Sequence, residues 1–108
     1  MTVANLGEVD GFKVISIPVG DREIKGVYIG DLLSWVMGKA KMDNAWITIM
    51  SNINTVAVAS LTDASCIILA EGVNLDEEVI KAAESKEINI LSSEMSAYEI
   101  AILLNSIL

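Results

Sequence analysis

The chain has 108 residues and a mass of 11.6 kDa, enough for one hydrophobic core and too little for two, so residues 1–108 are read as a single domain. Fifteen acidic against seven basic side chains leave a formal charge of −8, which repels phosphate backbones and excludes nucleic acid as a partner. Hydrophobic residues make up 53% of the chain, yet no apolar run approaches the roughly 18 residues of a membrane span. The start, Met1 to Glu8, lacks the cationic and apolar regions of a secretory signal, so no membrane and a cytoplasmic location are expected.

Met1 to Glu8 is read as one short helical turn, and the alternating run Phe12 to Ile17 before Pro18 as a strand suited to a sheet edge. Val19 to Glu23 is turn-like, Ile24 to Ile29 reads as a strand, and Asp31 is placed to cap a short helix ending at Gly38. Ala45 to Met50 is rich in β-branched and aromatic residues, the composition of a buried central strand. Ser51-Asn52 then turns into Ile53 to Leu61. That stretch is ambiguous by propensity, but Ser65 to Ala70 reads as the next strand, and two consecutive parallel strands need a crossover helix between them.

Asn74-Leu75-Asp76-Glu77 has the form of a cap with Glu77 reaching back, ahead of a helix to about Lys86. Ile88 to Leu91 is a short strand, and Ser96-Ala97-Tyr98-Glu99 is a capping box that opens the last helix. The apolar positions of that helix, Ala97, Ile100, Ala101, Leu103, Leu104, Ile107 and Leu108, form a stripe too wide for one contact face. This helix and the segment around Trp35 are the expected interface regions. The alternation predicts an α/β fold, a small mostly parallel sheet flanked by helices.

The residues that are missing narrow the chemistry. With no histidine in the chain, Ser-His and Cys-His catalysis, phosphohistidine relay and histidine-ligated metals are excluded. The single cysteine, Cys66, sits in an apolar run and reads as packing. Gly38-Lys39 lacks the preceding glycine and following hydroxyl of a phosphate loop, since Leu33 and Ala40 occupy those places. No enzyme activity, catalytic residue, metal site or cofactor is therefore expected.

In parallel sheets ligands bind beyond the carboxyl ends of the strands. Here those ends carry Gly30, Asp31, Ser51, Asn52, Asn54, Thr55, Glu71, Gly72, Ser92 and Ser93, the candidate ligand-binding residues. Ser51, Asn52, Asn54 and Thr55 stand at a helix N-terminus, where amides and the dipole favour a polar or anionic group. The same residues also suit simple helix caps, and that is the preferred reading.

Three stretches carry a resemblance: Val19 to Asp31, Val56 to Leu61, and Leu91-Ser92-Ser93 with Ser96 to Glu99. With them the chain resembles the DRTGG domain family. That resemblance implies a small α/β domain similar to the N-terminal domain of HPr kinase/phosphorylase, whose kinase chemistry resides in a separate phosphate-loop domain that this sequence lacks. Family members occur alone or attached to CBS pairs and other modules. Where relatives carry Gly-Asp-Arg this chain has Ser51-Asn52-Ile53, and where they carry Thr-Gly-Gly it has Ala70-Glu71-Gly72, so an arginine able to hold an anion is absent.

Two functions are expected from these readings. The first is a non-catalytic regulatory or scaffolding module that acts through homodimerisation and protein contacts, because 53% hydrophobic residues is a large share for so small an interior. The resemblance adds a possible cytosolic partner of redox or hydrogenase type. The second is a small-molecule sensor, with an adenine nucleotide or other anion as the ligand.

Overall fold

The computed structural model describes residues 1–108. Its strands are β1 (Lys13–Ser16), β2 (Val27–Ile29), β3 (Ala45–Thr48), β4 (Cys66–Leu69) and β5 (Ile90–Ser92). Its helices are α1 (Val3–Gly7), α2 (Leu33–Lys39), α3 (Ile53–Thr62), α4 (Glu77–Ser85) and α5 (Ala97–Ile107). The strands form one sheet in the order β1-β5-β4-β3-β2, with β2 to β5 parallel and β1 antiparallel against β5. The mostly parallel α/β sheet read from the sequence is thus present, with one antiparallel edge.

From β2 to β5 each crossover steps to the next strand in the same direction. Right-handed crossovers then place every connecting helix on one face. Accordingly Val36 of α2, Val56 and Ala59 of α3, and Val79 and Ala83 of α4 share one core with Trp46, Ile67, Leu69 and Ile90. The opposite face is covered by α1 and α5, where Val3, Leu6, Ile100 and Leu104 pack on Ala45, Ile47, Cys66, Ile68 and Leu91. The strands β3 and β4 are buried at every position, as expected for strands covered on both faces. No helix is long and apolar enough to cross a membrane.

Several local expectations are corrected. β2 begins at Val27 rather than Ile24, because Gly26 adopts φ +115°, a conformation that breaks the strand and that only glycine takes readily. The N-cap of α2 is Leu32, not Asp31, and it makes no side-chain cap bond. Asp76 is the N-cap of α4, again without a side-chain bond, so the reach back by Glu77 does not form. The box of Ser96 and Glu99 does form, with both bonds present.

Cys66 lies on the central strand with no exposure. Burial pushes its thiol from the ordinary 9.0 up to about 12, against weaker opposing pulls from Ser65 and the Arg22 charge. Between these values the unfolded chain ionises while the native thiol stays neutral, so stability contributed by the neutral thiol is complete below pH 9 and is lost as pH rises toward 12. Relative to Cys66→Ala, the wild-type chain is expected to lose about 1.4 kcal/mol of stability per pH unit across that window, read from urea melts. At pH 8 the native thiol is expected to resist a disulfide reagent until denaturant is added. Equal pH slopes for the two proteins would refute the assignment.

Candidate functional site

The carboxyl ends of the strands form two separate neighbourhoods. Beyond β2 and β3, Gly30 accepts a hydrogen bond on its carbonyl from Trp46 Nε1 at 2.8 Å. Asp31 Oδ1 accepts from Thr48 Oγ1 at 2.9 Å and from the Ile49 amide at 3.0 Å, which ties the β2 loop to the β3 loop. Asn52 caps α3 by accepting from the amides of Asn54 and Thr55 at 2.9 and 3.3 Å. Thr55 is buried with an unpartnered hydroxyl, and Asn54 stands exposed. Neither cavity of the molecule includes Gly30, Asp31, Ser51, Asn52, Asn54 or Thr55.

Beyond β4 and β5 the geometry is different. Because β1 runs antiparallel, its first residues lie beside the last residues of β5, and a cavity of about 460 Å³ opens between them and α4. Its floor is apolar: Ile15 of β1, Leu69 of β4, Leu75, and Ile80 of α4. Its rim is polar, with Lys13, Asn74, Ser92, Ser93 and Glu94. Of the candidate residues, Gly72, Ser92 and Ser93 line this cavity, while Glu71 stands beside it and donates its backbone N–H to Met95 O at 2.9 Å.

Gly72 has φ +68° and lies directly under the Glu94 carboxylate, where a β-carbon would collide with Glu94 Oε2. That glycine lets the acidic side chain fold down over the β4 loop. Ser93 is buried and its hydroxyl oxygen accepts from the Met95 amide at 3.1 Å, which fixes the turn into α5. The cavity is within the size range of small-molecule sites and combines an apolar floor with few polar groups. Its charged lining residues are one cation, Lys13, and one carboxylate, Glu94. An extended polyphosphate finds little compensation there.

Lys13, Ile15, Leu75, Ile80 and Glu94 are absent from the sequence-derived candidates. The available signal was the edge strand Phe12 to Ile17, whose antiparallel seat beside β5 converts its first residues into a wall of the carboxyl-end cavity. Arg22 belongs to the far end of the sheet. It donates to Asp43 Oδ1 at 3.0 Å and pairs with Asp63 Oδ1 at 2.8 Å, at the residues that precede β3 and β4. Burial weakens its charge, but the two carboxylates outweigh that and hold the guanidinium above its ordinary value. Asp21-Arg22 therefore does not replace the arginine missing from the carboxyl-end loops.

The chain is thus a small α/β module with a cavity at the carboxyl end of a mostly parallel sheet. A family model of the DRTGG domain matches residues 14–107, and the chain belongs to that family. A search of curated proteins finds no match. Among solved structures, it is similar to the CBS and DRTGG domains of the regulatory region of Clostridium perfringens pyrophosphatase, complexed with the activator diadenosine tetraphosphate. The TM-score is 0.68 at 13% identity, over 86% of this chain and 41% of that one, so the likeness is one of fold. The chain spans less than half the length of that structure.

Proposed function

We propose that this chain is a cytoplasmic, non-catalytic regulatory module that works through protein contacts, its own homodimer among them. Support comes from the surface: Leu32, Trp35, Met37, Ile49 and Ile53 are all exposed, with Trp35 at 59% and Leu32 at 63%. The first three belong to α2 or its cap, and the bond that the Ile49 amide donates to Asp31 Oδ1 holds the β3 loop beside them. Exposed apolar groups grouped in this way mark contact surfaces. The family supports a regulatory role, since the similar pyrophosphatase region is regulatory by description. Light scattering at micromolar concentration is expected to return twice the mass of the chain, and a monomer up to 100 µM would overturn the homodimer.

A second reading, a small-molecule sensor, is favoured by the cavity between β1, β5 and α4. Its apolar floor and near-balanced rim suit a ligand with a flat or aliphatic body and few charges, a nucleoside or monophosphate ahead of a polyphosphate. A ligand present at 100 times its dissociation constant adds about 2.7 kcal/mol and raises the melting temperature by several degrees in a domain of this size. A panel of nucleosides, nucleotides and acyl phosphates is expected to contain such a ligand, and its shift is expected to vanish in Ser92→Trp, which fills the cavity mouth. Flat curves throughout would remove this reading.

A further inference from the structure

The sensor reading leaves open how the cavity between β1, β5 and α4 tells one ligand from another. Two of its polar residues are set by strand alternation. Val14 and Leu91 face each other and turn toward the α1 side of the sheet, where Val14 lies against Gly7. Their neighbours Lys13 and Ser92, also paired across the strands, therefore turn to the α4 side and stand together at the rim.

Glu94, two residues beyond Ser92, is placed by a different device. Gly72 lacks a β-carbon, and the Glu94 carboxylate fills the space that one would take, with both of its oxygens close by. A side chain at position 72 would push that carboxylate away. The ion pairs of the chain join Met1 to Glu23, Arg22 to Asp43 and Asp63, and Lys25 to Asp43. Lys13 and Glu94 belong to none of them, so the rim keeps one uncommitted cation and one uncommitted carboxylate above the floor of Ile15, Leu69, Leu75 and Ile80.

An ionised carboxylate accepts hydrogen bonds and donates none. It favours a ligand that brings O–H groups to it and opposes one that brings further negative charge. The diol of a ribose supplies two such donors, and carboxylates hold ribose hydroxyls in other parallel-sheet sites. The apolar floor suits the flat face of a base, while Lys13 matches a single phosphate. We infer that Glu94, seated over Gly72, determines the specificity of this cavity. It accepts from the ribose diol of a nucleoside or nucleoside monophosphate and turns away nucleotides with longer phosphate chains.

This assignment rests on the sensor reading, and the experiment separates the two. Calorimetry with adenosine, 2′-deoxyadenosine, AMP and ATP is expected to show adenosine binding the wild-type chain about tenfold or more tightly than 2′-deoxyadenosine, and AMP more tightly than ATP. Glu94→Ala is expected to close the first gap and to narrow the second, with unchanged circular dichroism. Gly72→Ala keeps the carboxylate in the chain but displaces it, and is expected to close the first gap as well. An adenosine preference that survives in Glu94→Ala would overturn the role of Glu94. So would its absence from the wild-type chain; in either case a ligand whose thermal shift still vanishes in Ser92→Trp would keep the sensor reading. No shift from any nucleoside, nucleotide or acyl phosphate would overturn both.

Discussion

Replacing Asn89 by leucine is expected to destabilise the domain by about 4 kcal/mol, a large part of the 5–15 kcal/mol typical of domains. Asn89 is 2% exposed and uses its amide in full: its Oδ1 accepts from the Val19 amide at 2.9 Å, and Nδ2 donates to Val19 O at 2.8 Å and Ser65 O at 2.9 Å. One side chain thereby fastens the turn after β1 to the starts of β4 and β5. Leucine matches the volume but leaves Ser65 O and the Val19 N–H without partners, at roughly 1–3 kcal/mol each for buried groups, while Val19 O keeps only the Arg22 amide at 3.2 Å. Urea titration is expected to show a lower midpoint at unchanged slope. An effect below 1 kcal/mol would mean that water reaches those groups and that the amide is not the fastening.

Trp46→Ala is expected to cost a further sort of stability, about 3–5 kcal/mol, through an empty volume in the core. The indole has no exposure and packs among residues of α2 and α3. Its Nε1 bond to Gly30 O also fixes the loop that leads into α2. Trp46→Phe separates the two contributions, because it keeps most of the packing and removes the bond. It is expected to lose about 1–2 kcal/mol. Since Trp35 is largely exposed, Trp46→Phe is also expected to abolish most of the fluorescence shift on unfolding. A full shift retained in Trp46→Phe would place the reporter at Trp35 and contradict this packing.

Much of the fold is legible in the sequence because local patterns carry it. The continuous apolar strands around Trp46 and Ile67, the cap at Asn52 and the box at Ser96 each act through neighbours within a few residues, and each is found where the pattern places it. Asp31 shows the limit of that reasoning. Its residue type and position suit a helix cap, but its carboxylate binds Thr48 and Ile49, seventeen and eighteen residues away. A short polar side chain bonds whichever donor the fold brings nearest, and the chain order does not say which that is.

By itself the sequence determined the class: an acidic α/β chain without histidine, mostly parallel, belonging to the DRTGG family. It also marked the carboxyl ends of the strands as the place to look. Only the tertiary structure decided that, at the carboxyl ends of the strands, a cavity opens beyond β4 and β5 and not beyond β2 and β3. The cause is the antiparallel seat of β1 against β5, a pairing between residues some 75 positions apart. Such contacts are governed by the packing of whole faces, and local periodicity, which sets single elements, holds no record of them.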